Sequence, residues 1–235
     1  MFEKISAGLG PAPRRLSSSR KPSWKWGRNL FRPKTLGLAA MLGLAVSSGS
    51  ALAVGSNAGA TVVQLYGNLL ATMKNGSVLG GSGRYAQLAP VIRRNFDLPY
   101  MARLAFGTGW SGLTPAQQQQ VTESYGRYIS AVYADRFDSY HGQQLDVTGE
   151  RQDSYGVIVT SKIIKADGTP VEVDYLLRPD GGTWLIGDIY LDGTISEVAT
   201  HRSEFADILR SQGVDGLIAA LDRKAEMLTS TARAE

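Results

Sequence analysis

The 235-residue chain contains no cysteine and only two histidines, His141 and His201. Without thiols there are no disulfides, no thiolate nucleophile and no Cys-ligated metal. Two isolated imidazoles, neither in an H-x-x-x-H or H-E-x-x-H pattern, give no basis for a His-ligated metal site. Serine elbow, Walker loop and kinase signatures are also missing. "GGSG" at 80–83 lacks the preceding strand and the following Lys-Ser/Thr of a phosphate loop, and reads as a connecting loop. Acids are nearly absent from the first 53 residues, which hold nine Lys/Arg and only Glu3. The one uncharged apolar run there, Leu36 to Val46, is 11 residues long. A membrane-crossing helix needs about 20.

That short run sits between a basic stretch and Ala51-Leu52-Ala53, the order of a secretory signal peptide with an A-x-A site. Residues 1–53 are therefore expected to be a cleaved export signal, and 54–235 a single exported domain. The alternative is an uncleaved anchor over Leu36–Val54. Removing the signal takes nine basic and one acidic residue from totals of 25 and 21. The remaining 16 basic and 20 acidic residues leave a mature net charge of −4. The basic character of the whole chain belongs to the leader, and nucleic-acid binding is not expected. About 182 mature residues can bury an adequate core without disulfides.

What the mature chain does have is apolar surface in regular patterns. Val62, Tyr66, Leu69, Leu70 and Met73 fall on one helical stripe that Gly76 would end. A helix follows with a break expected at Pro90. Asp97 is placed to cap a short helix ended by Gly107. Thr114, Pro115 and Gln117 form a capping box for a long helix running toward Gly142. Its stripe is Val121, Tyr125, Tyr128, Ile129, Val132, Tyr133 and Phe137. Strands then follow one another: "LDVTG", then two runs around an Asp167-Gly168 hairpin signal, then "TWLIGDIYL" after Pro179-Asp180-Gly181-Gly182. Two helices close the chain, one carrying Phe205, Ile208 and Leu209 and one capped by Asp215. Segregated helices and antiparallel strands indicate an α+β fold. The strand 183–191 has apolar groups on both faces, so both faces are expected to be covered.

Acid–base candidates are few. Asp188 lies in an otherwise apolar strand. Its structural reading is a carboxylate bonded to backbone or to Arg. Its chemical reading is a buried general base, as in an isomerase or hydrolase on an NTF2-like sheet. The structural reading is favoured. His141 is expected at the end of the long helix and His201 in solvent. The Tyr-rich stripe reads as core packing, and "GTGWSG" at 107–112 as a helix connection with Trp110 turned inward.

Three segments carry a resemblance: "FDLPYMARLAFGTGWSGLTPAQQQQV", "WLIGDIYLDGTIS" and "HRSEFADIL". Together they resemble the MlaC or toluene-tolerance family, with a hopanoid-associated (HpnM-type) branch also similar. Gly193-Thr194-Ile195-Ser196 departs from the Gly-Val-Ser expected of the family. The resemblance implies a periplasmic carrier that holds a phospholipid, or a hopanoid-type lipid, tail-first between a curved sheet of about four strands and the helices. It implies an outer-membrane lipoprotein complex and an MCE-domain inner-membrane ABC transporter as partners. The lipid is cargo and no cofactor or metal is implied. The pocket wall would comprise Val157, Val159, Val173, Tyr175, Leu177, Ile186 and Tyr190 from the sheet, with Tyr128, Val132 and Phe137 from the long helix. Two acyl chains carry about 30 methylenes, and leaving them in water costs over ~20 kcal/mol. Such a carrier must hide them in a dry space near the top of the usual range of about 300–1,000 Å³.

Overall fold

The computed structural model describes residues 57–230. The expected signal peptide, its anchor alternative and the first residues after it lie outside the described residues. No helix among the described residues is long and apolar enough to cross a membrane.

Four helices come first: α1 (Ala58–Lys74), α2 (Gly76–Asn95), α3 (Leu98–Phe106) and α4 (Pro115–Arg136), with a 3₁₀ turn at Thr108–Gly112. Five strands follow, β1 (Gln144–Asp153), β2 (Gly156–Ile164), β3 (Pro170–Asp180), β4 (Thr183–Leu191) and the two-residue β5 (Ile195–Ser196). They form one antiparallel sheet in chain order. A last helix, α5 (Glu197–Ser230), closes the fold. The class is α+β, with the helices packed on the sheet.

The local signals explain most boundaries. The Asp97 carboxylate accepts from the Tyr100 amide and starts α3, and Gly107, at φ 87°, ends it. The Thr114–Gln117 capping box starts α4. Gly168, at φ 80°, turns the β2–β3 hairpin. Gly181 and Gly182, at φ 53° and 89°, make the tight β3–β4 turn, which a residue with a Cβ would strain.

Three boundaries differ from expectation. Gly76 opens α2 instead of ending α1, whose C-cap is Asn75. The loop expected at "GGSG" is reduced to a kink, in which Gly80 leaves helical geometry and 81–83 are helical, and the helix runs on through Pro90. The α4 helix ends at Arg136, so His141 lies in the exposed turn beyond it. The two closing helices meet as expected at Gly213, which leaves helical geometry at φ 68° two residues before Asp215, so that α5 is kinked there.

The pairing register decides which strand residues share a face. Partners across an antiparallel ladder point the same way. Val157 pairs with Leu177 and Val159 with Tyr175. On the other side of β3, Leu177 pairs with Ile186, but Leu176 pairs with Asp188. Gly187 is the extra residue of a β-bulge, and the alternation of β4 inverts there. From that point Ile189 and Leu191 join the face of Tyr175 and Val173. Tyr190 pairs with Asp174 and stands on the opposite face. This corrects the face expected for Tyr190, and it explains why β4 does not alternate. Both faces of the sheet are indeed covered near its centre: Ile158 and Leu176, on the face away from Tyr175, are buried too.

Candidate functional site

The face bearing Tyr175 meets α1, α2 and α4. Val157, Val159, Val173, Tyr175, Leu177 and Ile186 lie together on it, all buried. From α1, the Tyr66 ring meets Tyr175 edge-on with centroids 5.9 Å apart. From the end of α2, Phe96 bridges to Ile186 and packs edge-on against Tyr133 of α4 at 5.5 Å. Tyr133 in turn stacks on Phe137 at 5.6 Å. The hollow expected between sheet and helices is closed in this conformation: Val159, Leu177 and Ile186 are 0% exposed.

A line of hydroxyls runs through this apolar layer. Tyr66 Oη lies 2.6 Å from Ser161 Oγ, and Ser161 donates to the Val173 carbonyl. The Tyr175 hydroxyl interacts with those of Tyr66 and Tyr133. Burial pushes the Tyr175 phenol well above its ordinary value, and raises Tyr66 and Tyr133 as well. These groups stay neutral and act as hydrogen-bond partners rather than anions.

The long-helix residues divide between two neighbours. Tyr133 and Phe137 look toward the sheet layer, while Tyr125 and Tyr128 look toward α5. Tyr128 meets His201 edge-on at 5.5 Å, and burial raises its phenol to about 12. Val132 is half-buried. The structure thus gathers the six sheet residues but sets Tyr190 on the other face and Tyr128 against α5.

His201, expected in solvent, is buried. Its Nδ1 lies 3.0 Å from the Tyr125 hydroxyl, and its ring stacks on Phe205. Desolvation, followed by the charge of Arg136, lowers its pKa to about 4. Nearby, the buried Glu197 pairs with Arg136 at 3.5 Å.

Asp188 is fully engaged. One oxygen accepts from the amides of Ile189 (2.7 Å) and Val198 (3.2 Å). The other accepts from the Ser196 hydroxyl at 2.6 Å, which also accepts from the Ala199 amide. The carboxylate joins β4 to the first turn of α5, whose unpaired amides favour an anion. Burial raises its pKa while these bonds oppose the rise. No group of three or more His, Asp or Glu able to hold a metal occurs among the described residues.

A separate cleft of about 600 Å³ opens between α3 with its 3₁₀ turn and α5. Phe106, Leu113, Leu209 and Val214 line it, with Arg202 and Arg210. Trp110 packs edge-on against Phe106 at 5.7 Å and is half-buried, not turned fully inward. Sequence reading missed this cleft; its only trace in the sequence was the glycine-rich 107–112 stretch.

The polar line also went unseen as a unit. Its members are Tyr66 on one helix, Tyr133 on another, and Ser161 and Tyr175 on adjacent strands. Only register brings them together.

Among solved structures, the fold is similar to a phospholipid-binding protein from Ralstonia solanacearum, whose structure is a complex with a phospholipid. The two share 28% identity and a TM-score of 0.63, over 74% of this chain and 99% of that one. The family model of the MlaC protein matches residues 64–223. That span runs from α1 into the second half of α5 and includes the whole sheet, so the chain belongs to the MlaC family.

Proposed function

We propose that this protein is a periplasmic carrier that takes a phospholipid with its acyl tails between the sheet and the helices and its headgroup in water. The observation that carries this reading is the likeness to a phospholipid-bound structure along nearly that protein's entire length. The broad apolar face of Val157, Val159, Val173, Leu177 and Ile186 supports it. In this reading residues 1–53 direct export and are removed. The carrier then moves lipid between an outer-membrane lipoprotein complex and an MCE-domain ABC transporter of the inner membrane. A hopanoid-type lipid is the alternative cargo of the same space. The lipid is cargo, and no cofactor, metal or catalytic residue is part of the scheme. The bonded state of Asp188 supports a structural role for it over general-base chemistry.

The closed interface sets a condition. Helices and sheet must part to admit the tails, and the tails must repay that separation. Burying about 30 methylenes gains over ~20 kcal/mol, so the tails replace the contacts they displace with contacts of the same apolar kind.

Native mass spectrometry of protein purified from the envelope without detergent tests the reading. A bound mass that fragments as a phospholipid is expected. Protein that is empty, and that takes up no lipid from vesicles, would contradict it.

A further inference from the structure

The hydroxyl line in the helix–sheet layer carries an inference about cargo selection that rests on the carrier reading. Ser161 Oγ donates to the Val173 carbonyl, so its proton is committed. The Tyr66 hydroxyl, 2.6 Å away, must therefore donate to Ser161. That leaves the Tyr66 oxygen to accept, and the Tyr175 ring meets Tyr66 edge-on at 5.9 Å, with its hydroxyl interacting with those of Tyr66 and Tyr133. The register of β2 on β3 is unshifted from Val159–Tyr175 to Lys162–Glu172, and between these pairs the Ser161 side chain bonds to the Val173 carbonyl.

The members of this line belong to different layers. Tyr66 is on α1, Tyr133 on α4, and Ser161 and Tyr175 are on the sheet. A cargo that enters between the layers parts Tyr66 from Ser161 and Tyr133 from Tyr175. A buried O–H that loses its acceptor in a dry interior is left with its full desolvation cost. An acyl chain offers no acceptor. An ester carbonyl does, and in a diacyl phospholipid two of them stand at the head of the tails.

We infer that the Tyr66–Tyr175–Tyr133–Ser161 hydroxyls form the specificity element of the lipid site, which receives an ester carbonyl of an acyl-glycerol lipid and so selects ester-linked over ether-linked cargo. The same contact fixes how deep the glycerol sits. The apolar walls supply affinity without discrimination, because both lipid types have the same tails.

The test is uptake from vesicles containing either diacyl phosphatidylcholine or its dialkyl ether analogue of matched chain length. Wild type, Tyr66→Phe and Tyr175→Phe are compared, with Tyr155→Phe as control, since Tyr155 is an exposed residue at the β1–β2 turn. One net hydrogen bond corresponds to about fivefold. Wild type and Tyr155→Phe are expected to prefer the ester lipid by about that factor. Tyr66→Phe and Tyr175→Phe are expected to bring the ratio toward one while still taking up the ether lipid. The wild-type ratio is informative even where a variant fails to fold. Equal uptake of both lipids by wild type, or a preference unchanged in the folded Phe variants, would overturn the inference and leave the carrier reading intact. No uptake of either lipid would overturn both.

Discussion

Acidification is expected to weaken the α4–α5 contact by charging His201. The imidazole is 5% exposed, bonded to the Tyr125 hydroxyl and stacked on Phe205. Desolvation and the neighbouring Arg136 lower its pKa from 6.5 to about 4. In the unfolded chain the ring titrates near ~6.5. Between these values the unfolded state binds a proton that the folded state refuses. Stability therefore rises with pH from about 4 to about 6.5, and is lost as pH falls through that window. A gap of about 2.5 units at ~1.36 kcal/mol each gives about 3 kcal/mol. Asp188 and Glu197 work in the opposite sense. Burial raises both, so their folded forms hold protons more tightly than the unfolded chain does, and acidification through the carboxylate range favours the fold. Comparing wild type with His201→Gln separates the histidine from the acids. Urea unfolding at several pH values between about 4 and 7 is the assay. Wild type is expected to lose about 3 kcal/mol more than His201→Gln over that range. Parallel stability curves for the two proteins, or a His201 ring that titrates near ~6.5 by NMR in the folded state, would refute the reasoning.

Substitutions at two further positions probe how β4 is held. Asp188→Ala leaves the Val198 amide and the Ser196 hydroxyl short of an acceptor, at about 1–3 kcal/mol per buried group. A loss of about 3 kcal/mol is expected in urea unfolding, with Asp188→Asn milder because it keeps one accepting oxygen. An alanine variant as stable as wild type would show that the carboxylate does not secure α5. Gly187→Ala would set a Cβ 2.6 Å from Arg178 Cδ and 3.3 Å from Tyr100 Cδ1. Arg178 is held by its ion pair with Asp97 and by stacking over the Tyr100 ring at 3.6 Å. Overpacking of this kind costs about 1–3 kcal/mol, and a lowered thermal midpoint is expected. An unchanged midpoint would mean that Arg178 yields without cost.

What could be read in the sequence was local. Asp97, Thr114 with Gln117, and Asp167-Gly168 each mark a boundary through a hydrogen bond or turn geometry made within a few residues, and the structure has all of them. Regular alternation placed Val157, Val159, Val173, Tyr175 and Leu177 on one face. Tyr190 went astray because the bulge at Gly187, which shows only in the pairing of β4 with β3, inverts the alternation of β4. The burial of His201 was invisible for a similar reason. It depends on Tyr125 and Tyr128, more than 70 positions away on α4. Gly80 and Gly213, the points where α2 and α5 leave helical geometry, sit in polar stretches that resemble loops.

The central claim is that lipid tails lie against the sheet face of Val159, Tyr175 and Leu177. Methyl NMR of protein loaded with a phospholipid spin-labelled along one acyl chain tests this most directly. Broadening of the Val157, Val159, Val173 and Leu177 methyls, with Leu209 and Val214 in the α3–α5 cleft left sharp, is the expected result. Broadening confined to Leu209 and Val214, with the sheet methyls unaffected, would contradict the claim and move the lipid to the cleft.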